Sequence, residues 1–168
     1  MNHLKLTLLA FWLGLAAGAP AAVGDARKDC FEKSGDVAIR ACSETIAQNP
    51  GDAVSYINRA FEYLHKGNVI QAIADYSKAI ELNPGRPDGY AGRAWALLKS
   101  GKAAQALPDA ERSLQIKADD ARTLDIRGHI HEALGRREEA IADFRRALSI
   151  EPRLQGSKEG LKRLGAGG

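Results

Sequence analysis

Few side chains in this sequence are equipped for chemistry, and most of those recur at a fixed interval. His129-Ile130-His131-Glu132 is the one cluster of metal-capable residues. On a helix, residues two apart point to different faces, so the two histidines cannot chelate one ion together. The histidine pair four apart with an intervening Glu, as zinc proteases use it, is missing. No Ser-His-Asp or Cys-His order stands out, and no glycine-rich loop is placed to cradle phosphate. Nothing supplies a general acid–base pair in a pocket. The expectation is a protein that is not an enzyme and takes no cofactor.

Cys30 and Cys42 are the only cysteines, and their reading depends on what precedes them. Met1 to Lys5 is short and carries one positive charge. Leu6 to Gly18 is apolar and uncharged, and Ala19-Pro20-Ala21-Ala22 offers the small residues a signal peptidase needs. That order describes a secretory signal peptide over 1–21. The apolar run is shorter than the ~20 residues of a membrane span, although an uncleaved N-terminal anchor is the alternative. Once the signal is removed, no membrane span is expected. No cysteine follows the run directly, which argues against a lipoprotein. The chain is therefore expected to be periplasmic or secreted, from a bacterium. In that setting a disulfide is the default. A Cys30–Cys42 bridge would close a loop containing the turn signal Ser34-Gly35-Asp36. It would staple two helical arms, for ~3 kcal/mol on the chain-entropy estimate.

The 168 residues are 45% hydrophobic and 27% charged, enough for one domain with a buried interior. The net charge of +3 announces no nucleic-acid partner. Arg136-Arg137 and Arg145-Arg146 are interleaved with Glu138, Glu139 and Asp143, as on a solvated helix face.

The elements that position these residues repeat every 34 residues. Arg59, Arg93 and Arg127 align, as do Ala60, Ala94 and Gly128. Gly67, Gly101 and Gly135 recur, and so do Ala72, Ala106 and Ala140, and Asp75, Asp109 and Asp143. Pro50, Pro84 and Pro152 punctuate the ends. Tyr56, Ile57, Ala60, Phe61, Tyr63 and Leu64 follow helical spacing, with Asp52 placed to cap the helix and Gly67 to stop it. Val69, Ala72, Ile73, Tyr76, Ala79 and Ile80 predict a second helix that Pro84 ends. One such hairpin cannot bury its apolar face alone, so hairpins must stack. The repeated Arg and Asp read as scaffold, pairing within or between hairpins. Gly89, Gly92 and Pro108 mark the middle unit as the softest, with Pro108 expected to kink or break its helix.

These columns resemble the tetratricopeptide repeat family over 53–152. The resemblance implies an all-α fold, a short right-handed solenoid of antiparallel helix hairpins with a C-terminal cap helix. Its parts would be a degenerate, disulfide-stapled half repeat over 25–52 and full repeats over 53–86, 87–120 and 121–154. A capping helix and flexible tail would fill 155–168. It also implies a concave groove lined by the first helix of each unit. The residues carried onto that groove are Ile57, Phe61 and Leu64, then Ala91, Trp95 and Leu98, then Asp125, His129 and Glu132. Phe61 and Trp95 would be its anchors, unless they pack between neighbouring helices. Some family members clamp an acidic chaperone tail with lysine, asparagine and arginine. Here the matching positions are mostly Ile57, Phe61, Gly92 and Ile126, so that clamp is absent. The implied function is an adaptor or scaffold binding a protein or peptide segment. The alternative is a structural subunit of an envelope assembly that self-associates as a homo-oligomer.

Overall fold

A computed structural model describes residues 23–167, so the signal-peptide reading of 1–21 lies outside the described residues. Nine helices and no strand occur among them: α1 Val23–Glu32, α2 Gly35–Gln48, α3 Ala53–His65, α4 Val69–Leu82, α5 Pro87–Lys99, α6 Ala103–Ile116, α7 Ala121–Ala133, α8 Arg137–Ile150 and α9 Gln155–Arg163. Each even-numbered helix folds back on the odd-numbered helix before it. Each odd-numbered helix also touches the next odd-numbered one, so the hairpins nest in series. This is a short all-α solenoid closed by a single helix.

The turns follow from glycine. Gly67, Gly101 and Gly135 sit at φ of 78°, 77° and 72°, a conformation side chains with Cβ resist. Each lets the chain close the preceding helix with a 2.8–2.9 Å bond: Asn68 to the Tyr63 carbonyl, Lys102 to Leu97, Arg136 to His131. Gly165 repeats the motif, and the Ala166 N–H donates to the Leu161 carbonyl at 2.8 Å. The residues expected to form a flexible tail are thus bound back onto α9 at least as far as Ala166. At the other end of a helix, Asp52 caps α3 by accepting from Val54 N–H at 3.2 Å.

Within each hairpin a guanidinium grips a carboxylate by two parallel bonds. Arg59 holds Asp75, Arg93 holds Asp109 and Arg127 holds Asp143, all with Nε–Oδ2 at 2.7 Å. Arg59 and Arg93 also donate across to Ser43 and Ser77 of the preceding hairpin, at 3.0 and 3.1 Å. The ladder therefore joins the two helices of one unit first and neighbouring units second. The Asp partner raises each arginine's pKa through these bonds.

Small residues set how closely helices approach. Ala60, Ala72, Ala94, Ala106 and Ala140 are fully buried. Between hairpins the fit is a matched pair of sizes. The Tyr76 ring of α4 lies where a side chain on Gly92 of α5 would be, with Cε1 only 2.2 Å from a Cβ placed there. Phe144 of α8 does the same against Gly160 of α9, at 2.4 Å, and also fills the place of a side chain on Gly128. In the middle unit the aromatic position is Ala110, and its counterpart in α7 is the larger Ile126, which packs against that cluster. In the first hairpin the same position is Cys42, which is bonded to Cys30 and ties α2 to α1.

Two features expected to weaken the middle unit therefore read differently. Gly89 and Gly92 are where Ile80 and Tyr76 pack, not idle weak points. Pro108 does not break its helix, because α6 runs unbroken from Ala103 to Ile116. Both Pro108 and Ala104, whose carbonyl loses its partner, face solvent, so water can satisfy that carbonyl. Helix propensity alone favours Ala over Gly by ~1 kcal/mol. The ring contact reverses that sign at Gly92. Gly92→Ala is expected to destabilise the protein by about 1–3 kcal/mol in urea denaturation, whereas a gain in stability would refute the packing role.

Candidate functional site

The odd-numbered helices share one side of the stack, and there the surface dips into a groove of about 720 Å³. Ile57, Phe61 and Leu64 of α3 and Ala91 and Trp95 of α5 line it. Phe61 is 51% exposed, and its ring lies tilted against His65, with centroids 4.1 Å apart. Trp95 is half-buried, with Lys99 Nζ 4.9 Å and the His129 ring centroid 6.1 Å from its ring centroid. Tyr76, Ile126 and Ile150 complete the apolar lining.

The rim carries charge that is largely neutralised in place. Arg86 Nε lies 2.9 Å from Asp88, Lys117 Nζ 3.0 Å from Asp120 and Arg146 Nη2 2.8 Å from Asp119. Asp120 also caps α7, accepting from the N–H groups of Arg122 and Thr123 at 3.0 Å.

Four residues carried onto the groove do not line it. Leu98 packs against the core built around Ala94, Ala106, Ala110 and Ile130. Alanine at 110, where the flanking units have aromatic rings, leaves volume that Leu98 helps to fill. Asp125, His129 and Glu132 are engaged by α9 or by one another. Ser157 Oγ donates to Asp125 at 2.6 Å, and Arg163 reaches both Glu132 oxygens at 2.7 and 2.8 Å. Arg163 also holds the Glu132 carboxyl below its usual range. His129 sits between these acids, with its ring 4.9 Å from Phe144. Polar groups at this end of the stack therefore hold the cap helix.

The two histidines of the sequence cluster go separate ways. His131 is buried, its Nε2 3.7 Å from Asp143, and its Nδ1 meets no partner among the described residues. Those residues contain no group of three side chains arranged to hold a metal ion. None of their helices is long and apolar enough to cross a membrane. The large apolar lining residues not carried onto the groove are Ile126 of α7 and two from second helices, Tyr76 and Ile150, whose helices the family resemblance assigns to the opposite layer.

A family profile described as the ETO1 C-terminal domain matches residues 18–166. The chain belongs to that family. Its fold is that of tetratricopeptide repeat domains in solved structures. The Arabidopsis OM64 tetratricopeptide repeat domain is 30% identical, with a TM-score of 0.64 over 67% of this chain and 93% of that one. The first such domain of Spaghetti (RPAP3), solved with the HSP90 peptide SRMEEVD, is 26% identical, with a TM-score of 0.64 over 67% and 90%. MamA from Desulfovibrio magneticus, at 18% identity, shares the fold over 86% of this chain and 84% of its own, with a TM-score of 0.71. No curated protein sequence matches the chain. At the repeat position of Tyr63 and Leu97, this repeat protein carries His131.

That substitution has a pH consequence. Burial pushes the His131 pKa down, against the pull of Asp143 and with the push of Arg127. A lowered folded-state pKa leaves stability intact above the unfolded value near ~6.5 and erodes it as pH falls below. Replacing His131 with Leu, as at position 97, is expected to flatten the loss of melting temperature between pH 7.5 and pH 5. An unchanged slope would show that His131 plays no part in it.

Proposed function

We propose that this protein is an adaptor that holds a segment of another protein in the groove between α3, α5 and α7. The observation carrying this reading is the lining itself. Phe61 stands half in solvent beside Trp95, Ile57 and Ile126, with no element of the described chain covering it. Exposed aromatics beside a preformed apolar groove suit a partner. The repeat domain solved with an HSP90 peptide supports a peptide-binding role for the fold. That peptide is acidic, and here Ile57, Phe61, Gly92 and Ile126 stand at the clamp positions. The partner is therefore of another kind.

We also place the adaptor outside the cytosol, in the periplasm or secreted. The signal-like order of residues 1–21 and the paired cysteines support this. N-terminal sequencing of protein recovered from the periplasm or medium is expected to begin near Ala22. Recovery only of cytosolic chain retaining Met1 would oppose it.

Binding is tested by two truncations in the groove lining. Phe61→Ala and Trp95→Ala are each expected to cost more than ~1 kcal/mol of partner affinity, about fivefold or more. Because its ring is half exposed, Phe61→Ala should leave the melting temperature unchanged. Retention of the partner by both variants would place the binding surface elsewhere.

A further inference from the structure

Tyr76 is the side chain of the groove whose chemistry the packing does not use. Only 3% of the residue is exposed, yet it lines the groove. Its ring comes from α4 and reaches the groove side of α5 because Gly92 has no side chain. A Cβ at Gly92 would lie 2.4 Å from Cζ, the carbon that carries the hydroxyl. No described residue hydrogen-bonds that hydroxyl, and burial alone pushes its pKa up. It is therefore a neutral O–H donor at ordinary pH. Among the described residues the sealed polar side-chain atoms without a partner are Arg86 Nε and His131 Nδ1, so the Tyr76 hydroxyl opens onto the groove, where water can hold the place of a ligand atom. The scaffold does not require this hydroxyl, since Phe144 makes the same ring-on-glycine contact against Gly160 without one.

We propose that the Tyr76 hydroxyl is a ligand contact, donating to a main-chain carbonyl of an extended, uncharged, apolar segment of a partner protein. This rests on the groove reading above. A helix would arrive with its carbonyls already bonded, whereas an extended segment brings free ones. The surroundings of the hydroxyl set the rest of the chemistry. Ile57, Phe61, Trp95 and Ile126 offer apolar contact, and the rim acids Asp88, Asp119 and Asp120 are already ion-paired. Arg122 and Glu151, the rim charges without an ion pair among the described residues, are of opposite sign. The groove thus offers neither a cationic socket for a carboxylate tail nor an acidic one for a basic tail.

The test selects phage-displayed random heptapeptides on the full chain, with the Trp95→Ala chain as background. Fluorescence anisotropy then gives the affinity of the winning synthetic peptide. The expected consensus is bulky, apolar and uncharged. Tyr76→Phe should weaken the peptide about fivefold, one hydrogen bond's worth, with an unchanged melting temperature. A charged consensus, or undiminished affinity with Tyr76→Phe, overturns this proposal and leaves the groove reading standing. No enrichment over the Trp95→Ala background overturns the groove reading itself, and this proposal with it.

Discussion

Everything in this molecule depends on a pairing of large with absent side chains between consecutive hairpins. A two-helix hairpin of this length has an apolar face it cannot hide, so it must lean on a neighbour. What decides how it leans is where a ring can enter. Tyr76 enters over Gly92 and Phe144 over Gly160, while Ile126 fills the space beside Ala110. Interiors pack at crystal-like density, so each joint accepts one geometry and transmits it to the next. The groove is a by-product of that repetition. Helices set side by side leave a lining on their shared side.

The Arg–Asp bonds solve a separate problem. They cross from the first helix to the second of each unit and hold the hairpin angle at the edge of the core. Arginine suits the place because its planar fork meets a carboxylate with two bonds at once. Its third nitrogen then reaches the preceding hairpin where a serine is available, at Ser43 and Ser77. At the corresponding position before Arg127 stands Glu111, which adds a favourable charge in place of a hydroxyl bond.

Much of this was legible in the residue order, because repeated residues announce repeated structure. The glycine turns, the Asp52 cap, the stacked hairpins and the Arg and Asp columns all stand out when the chain is read in register. The groove was legible only in part. Phe61 and Trp95 follow from helical spacing plus the concave side the resemblance implies. Leu98 shares that spacing but turns inward, because the nearby Ala110 leaves room for it. Asp125, His129 and Glu132 look like a polar end of a binding surface until Ser157 and Arg163 arrive from a helix too short to declare its partners. Gly92 was hardest of all. A glycine in a helix reads as weakness when its ring partner lies in another element.

The ring-and-glycine joints also give the stack a grammar for growth by gene duplication. Copying the middle hairpin in tandem would set Ala110 against a second Gly92, small against nothing, a void the surroundings could partly collapse. Copying the third would drive Phe144 into a second Ile126, two bulky groups claiming one space. Lineages that lengthen such a chain should therefore do so from its centre, and any that expand the third unit should carry a smaller residue at one of those two positions.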